Sequence, residues 1–199
     1  MFSLVVEAAA LPSFLRVGSA VHELRAPAGT DAHTGFAVRL LSAQAGAASI
    51  LWVSAAPLWY PPGLAWAGLD PARCLFAQAR DDAESLSALE TALRGGMAGV
   101  AACTKLSRLA AKRLAMAARQ GGGIGLVLRH APARTSEDST AFATRWLISP
   151  APGGPEVPRL RAELLYAKAG RPGVFFFEFG AIKTFAPLGL GRRNGTGPN

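Results

Sequence analysis

The chain has 199 residues, half of them hydrophobic and 17% charged, with a net charge of +8 and a pI near 10.5. That length supports one domain burying roughly 70% of its unfolded surface without disulfide or metal staples, and the low charge content excludes disorder over most of it. Apolar runs break at Pro57, Pro61, Pro62 or Glu178, well short of the roughly 20 residues a spanning helix needs, so a soluble chain with no membrane association is expected.

Residues 1–18 show no periodicity and are set apart as an N-terminal arm, read either as a docking segment or as a loosely packed lead-in. The apolar stretch Ser3 to Ala10 is interrupted by Glu7 and preceded by no basic residue, so it fails as a signal peptide. Cys74 and Cys103 lack C-x-x-C spacing and read as buried, reduced thiols of a cytoplasmic protein. The positive charge favours polyanionic partners, nucleic acid or acidic protein.

From Ser19 to Leu41 an apolar run breaks at Pro27, Gly29, Thr30 and Asp31 and resumes at Phe36, Val38, Leu40 and Leu41. Strand, loop and helix in that order form the frame in which nucleotide folds seat a phosphate on backbone N–H groups. A working P-loop needs G-x-x-x-x-G-K-[ST]. Gly29 and Gly35 are six apart, and Phe36 and Ala37 follow Gly35, so lysine and hydroxyl are both missing on this spacing. The expectation is a degenerate P-loop at Gly29, Gly35, Phe36 and Ala37 with no cofactor.

A helix over Thr34 to Ala45 leads into a buried strand over Ser49 to Ser54, an unbroken apolar run of the kind that parallel sheets require. Leu64 to Leu69 is a short helix and Arg73 to Ala77 a further strand. Asp81 to Arg94 is a helix with acidic residues in its first turn and Arg94 in its last, matching the macrodipole; its predicted buried stripe is Ala83, Leu86, Leu89, Ala92 and Leu93. After a short apolar segment at Met97 to Ala102, Thr104 caps a helix over Lys105 to Arg119 that buries Leu106, Leu109, Ala110, Leu114 and Ala117. A strand at Ile124 to Leu128 follows. The alternation predicts a doubly wound, mainly parallel sheet. Beyond the polar loop Ala131 to Thr140, Phe142 to Ile148 reads as another apolar segment. Leu160 to Lys168 alternates like a half-exposed strand, and Val174 to Phe179 pairs with it as an antiparallel hairpin at one edge. Residues 187–199, with Arg192 and Arg193, are expected to form a disordered tail.

The run ILWVSAAPLWYPPGLAWAGLDPARCLFAQARDDAESLSALETALRGG resembles the RecA core after its P-loop helix, most closely the ImuA branch. SRLAAKRLAMAARQGG, ATRW and the closing hairpin extend the resemblance from about Ala20 to Phe179. It implies a RecA-like α/β domain over residues 19–186, a mainly parallel twisted sheet flanked by helices. It also implies an SOS-induced accessory factor of mutagenic translesion synthesis. Such a factor works with an ImuB-type polymerase-like protein and an error-prone replicative-type polymerase, with RecA and DNA as further candidate partners. Carried across, the first P-loop glycine falls near Ala26, the catalytic glutamate near Ala56, the metal-associated aspartate near Ala102 or Cys103, and the phosphate-sensing glutamine near His130. None of these keeps the required chemistry, so no ATP hydrolysis is expected.

Lys105, Arg108, Lys112, Arg113 and Arg119, with Arg129 and Arg134, are the candidate contacts to DNA or an acidic partner, set against a plain solvated helix face. Trp59, Trp66, Arg192 and Arg193 are candidate protein-interface residues, while Trp52 reads as core. His33 reads as a polar cap at the helix start, His22 as a core or edge histidine, and no metal site is expected from three scattered histidines. Two alternatives stand beside the accessory factor: a SulA-like cell-division inhibitor, and a divergent DNA-dependent ATPase using Lys105 or Lys112.

Overall fold

In the computed structural model, described here for residues 19–46, 48–56, 59–135, 138–153, 159–179 and 185–190, nine strands form one sheet. The strands are β1 (Val21–Ala26), β2 (Ile50–Ser54), β3 (Cys74–Gln78), β4 (Ala98–Ala102), β5 (Gly125–His130), β6 (Thr144–Ala151), β7 (Arg159–Ala167), β8 (Gly173–Phe179) and β9 (Phe185–Leu190). Their order is β3-β2-β4-β5-β1-β6-β7-β8-β9. From β3 to β6 every pairing is parallel; from β6 to β9 every pairing is antiparallel. The expected α/β sheet, parallel in its centre with an antiparallel hairpin at its edge, is therefore the observed architecture. The edge is larger than the hairpin. Strand β9 carries it to Leu190, past the tail boundary expected at residue 187, and Arg192 and Arg193 lie outside the described residues.

Four α-helices, α1 (Ala32–Gln44), α2 (Pro61–Trp66), α3 (Asp82–Arg94) and α4 (Arg108–Gly121), divide between the two faces. One core joins Phe36, Leu40 and Leu41 of α1 and Leu64 of α2 to Trp52, Trp146 and Phe177; the other joins Leu89 and Leu93 of α3 and Leu114 and Ala118 of α4 to Val53, Ala101 and Val127. Because the central strands are covered on both faces, β1 is buried throughout, its three ionisable residues His22, Glu23 and Arg25 included. Strand β7 alternates between buried and half-exposed positions, as a sheet covered on one face requires.

Several sequence expectations shift. Helix α2 starts on Pro61 and Pro62, where the ring fixes φ and the missing N–H costs nothing, three residues before the expected start. Helix α4 is capped by Ser107, whose Oγ accepts from Ala110 N, so Thr104 and Lys105 lie before it. Thr104 is held instead by Asp82, to which its N–H and hydroxyl both donate. Consequently Leu109 is exposed at 68% where it was expected to be buried. In α3 the outward turn takes Ala83, while Ser85 and Glu90 are buried. Cys103 is buried but Cys74, on the edge strand, is only half-buried; both are free thiols. Among the described residues, no helix is long and apolar enough to cross a membrane.

Candidate functional site

The parallel strands β1, β2, β4 and β5 end on a common rim, the place where open α/β sheets bind ligands. There a cleft of about 190 Å³ is lined by Asp31, His33 and Thr34 at the start of α1, Ser54 to Ala56 after β2, Ala102 to Thr104 after β4, and Leu128 and His130 on β5, with Trp59 and Asp82. The positions that the RecA resemblance assigns to catalytic glutamate, metal aspartate and phosphate sensor, Ala56, Ala102 or Cys103 and His130, thus converge on one cavity.

The P-loop register is corrected. Phe36 and Ala37 lie more than one turn inside α1 with no exposure, packed into the core, and Gly35 sits half-buried beside them. A core Phe at that position could never have faced a phosphate. Counting from the end of β1, the eight residues Pro27 to Thr34 occupy the frame of G-x-x-x-x-G-K-[ST], with Ala32 for glycine, His33 for lysine and Thr34 for the hydroxyl residue. The hydroxyl is present after all, and the lysine is not. Gly29, at φ +80°, provides the one left-handed turn of this loop.

His33 is buried, and its Nδ1 accepts the Thr34 N–H at 3.0 Å, a donor of the helix start that it shares with Asp31 O at 2.9 Å. Burial first, then the positive charge that His130 can carry, pushes its pKa down to about 4. A neutral imidazole therefore occupies the place of the phosphate-binding cation. The second carboxylate of the cleft is already engaged: Asp82 accepts from Thr104 N, Thr104 Oγ1 and Lys105 N at 2.6–2.9 Å. Burial works to raise its pKa, but these bonds and the charge of Arg129 outweigh burial and hold it below the usual carboxylate range. Asp31, by contrast, makes no side-chain cap bond.

The candidate basic residues divide among four environments. Arg108, Lys112 and Arg119 line one groove on the outer face of α4, joined by Lys168, whose Nζ donates to Ala141 O. Lys168 carries no motif and was not singled out. Arg113 points the other way and pairs with Glu90 at 2.8 Å, and Lys105 lines that second groove with it. Neither Lys105 nor Lys112 lines the cleft, so neither replaces the missing P-loop lysine. Arg134 is exposed on the loop after β5.

Arg129 is not a surface contact. It is 4% exposed, donates to Glu23 Oε1 at 3.2 Å and to Thr104 O, and belongs to a buried network on the α3/α4 face of the sheet. There Glu23 accepts from Arg25 (2.9 Å), Arg129 and Arg145 (2.8 Å), while Arg25 also reaches Asp138 and the carbonyls of Pro132 and Ala133. The polar loop Ala131 to Thr140 is thereby tied to the core at three of its residues, Pro132, Ala133 and Asp138.

Trp59 is half-buried and packs edge-on against Trp52, centroids 4.8 Å apart; it walls the cleft instead of standing out as an interface anchor. The side chain of Trp66 lies outside the described residues. His22 is buried with Nδ1 2.6 Å from Thr144 Oγ1, as a core histidine.

Compared with known proteins, 71% of the chain aligns, over 158 positions at 36% identity, with Protein ImuA of Caulobacter vibrioides, in strains NA1000 / CB15N and ATCC 19089 / CIP 103742 / CB 15. The chain belongs to the ImuA family. It spans 64% of the length of those ImuA proteins. No family model matches it. Among solved structures, SulA from Pseudomonas aeruginosa is 31% identical at a TM-score of 0.46, covering 55% of this ImuA-family chain and 98% of SulA.

Proposed function

We propose that this chain is a non-catalytic accessory protein of SOS-induced, error-prone translesion DNA synthesis. It acts in the cytoplasm, at the nucleoid, to bring an ImuB-type polymerase-like protein and an error-prone replicative-type polymerase to damaged DNA. Its kinship with ImuA supports the pathway. The observation that carries the non-catalytic part is the cleft itself. A triphosphate brought there would meet Asp31 and Asp82, with a neutral His33 where the lysine should stand. Losing charge-assisted bonds costs roughly 1.5–3 kcal/mol each, and about 190 Å³ is below the roughly 300–1,000 Å³ typical of ligand pockets. Binding surface, not turnover, is then what the fold supplies.

Copurification from DNA-damaged cells tests the reading: polymerase subunits should be recovered with the chain, and the purified chain should release no phosphate from ATP with or without DNA. Recovery of a cell-division GTPase, the partner expected of a SulA-like inhibitor, without polymerase subunits, or DNA-stimulated turnover above a denatured control, would overturn it. DNA contact belongs to the groove of Arg108, Lys112, Arg119 and Lys168. Reversing Arg108 and Lys112 to Glu should weaken binding and reduce the slope of log K against log salt by about 2, roughly one per lost phosphate contact; an unchanged slope leaves that groove as a solvated face.

A further inference from the structure

We propose that Asp31, His33 and His130 form a binding site for a divalent transition-metal ion of the zinc class at the mouth of the cleft. Sequence distance hides the site: two of its residues open α1 and the third ends β5, and only the parallel pairing of β1 with β5 brings them together. One nitrogen from each histidine and one Asp31 oxygen all lie within 4.8 Å of one another.

The geometry favours a metal over a plain hydrogen-bonded cluster. His130 Nδ1 lies 3.4 Å from Pro27 O, which orients the ring so that Nδ1–H faces a carbonyl and Nε2 keeps its lone pair. Second-partner contacts of this kind set the ligating tautomer in metal sites. That Nε2 is 3.5 Å from Asp31 Oδ1, close to the roughly 3.4 Å separating two ligands bound about 2.1 Å from a tetrahedral zinc. The rings of His33 and His130 stand 4.8 Å apart at 55°, tilted rather than stacked, so a small rotation of either closes the third edge. Asp82, the other carboxylate of the cleft, has its Oδ2 taken by three donors, and it is an oxygen of Asp31, not of Asp82, that lies with the two imidazoles.

Ligand type selects the ion: two imidazoles and one carboxylate suit zinc and its neighbours better than magnesium or calcium, which take oxygen shells. The dipole at the start of α1 opposes a cation, and the Asp31 charge offsets it. Three ligands leave a fourth position open toward the cleft, the arrangement that lets a metal accept a further donor from a partner or solvent. His33 supplies the rigid side, 4% exposed, and can give up its contact with the Thr34 N–H, which keeps Asp31 O as acceptor, to free a nitrogen for the metal, while the Asp31 and His130 side chains, 77% and 49% exposed, leave an entry path.

The test uses the full chain, with any affinity tag removed, and titrates Zn²⁺ by calorimetry and Co²⁺ by visible absorption. One equivalent should bind, with d–d bands of four- or five-coordinate cobalt and no thiolate charge-transfer band from nearby Cys103. His130→Ala and Asp31→Ala should each weaken binding at least about tenfold with an unchanged melting temperature of the metal-free chain. Absence of stoichiometric binding, binding indifferent to both substitutions, or a thiolate band abolished by Cys103→Ser would each overturn the site. The outcome is independent of whether polymerase subunits copurify.

Discussion

Two polar clusters sit at β1 and differ in how completely they are used. On the α3/α4 face, Glu23 is 1% exposed and accepts from three arginines, which also reach Asp138 and the carbonyls of Thr104, Pro132, Ala133 and Ser139. At the strand's end, the Asp31 carboxylate caps nothing and the two nearby imidazoles have no carboxylate held as tightly. A buried charge must be paired or it opposes folding, so the first cluster is architecture. The second is exposed at Asp31 and His130, so these two side chains carry no such obligation and are open to a ligand.

The contrast can be broken most directly at Glu23. Glu23→Gln should cost about 3–5 kcal/mol of unfolding free energy, because it leaves three buried guanidinium groups around a neutral amide; a urea midpoint close to that of the unchanged chain would show that solvent already reaches the network. Acidification probes the face opposite Glu23. Burial lowers His22 from 6.5 to about 4, so between these values the unfolded chain binds a proton that the native chain does not. Stability contributed by neutral His22 is complete above pH 6.5 and falls with decreasing pH by about 3 kcal/mol in total, levelling off below pH 4. His33 adds a loss of the same sign in the same window, and His22→Asn should remove its own share of the slope in urea unfolding between pH 4 and 7. The smallest effect is expected at the cleft: Asp31→Ala should change stability by no more than about 0.5 kcal/mol, measured on metal-free protein, and a larger loss would make Asp31 part of the architecture after all.

Periodicity and end signals made the sheet legible. Asp81, with Glu84 three residues on, announces α3, and the unbroken ILWVS announces a central strand. Helix starts were read less well where two hydroxyl residues competed. Thr104 and Ser107 are equally good caps by type, and the choice depends on Asp82, which holds Thr104 from another helix. The same long-range blindness misplaced the P-loop frame, since Gly35 attracts attention while the helix begins at Ala32. Arg129 was assigned to the surface because charge implies exposure until a partner is known, and Glu23 lies 106 positions away. The pairing of His33 with His130 follows from β1 lying beside β5, which the order of elements along the chain does not specify.

Helix α1 begins at the cleft and ends far from it, and less than one turn separates His33 from Phe36. That ring lies 5.7 Å from Trp146 and 5.4 Å from Phe177, where the parallel and antiparallel halves of the sheet share a core. A helix is stiff along its axis, so whatever occupies the cleft and tugs on the first turn shifts an aromatic cluster against β6. The emission of Trp146 is therefore expected to change when the cleft fills, a signal separated from that of Trp59 in the cleft wall by Trp59→Phe.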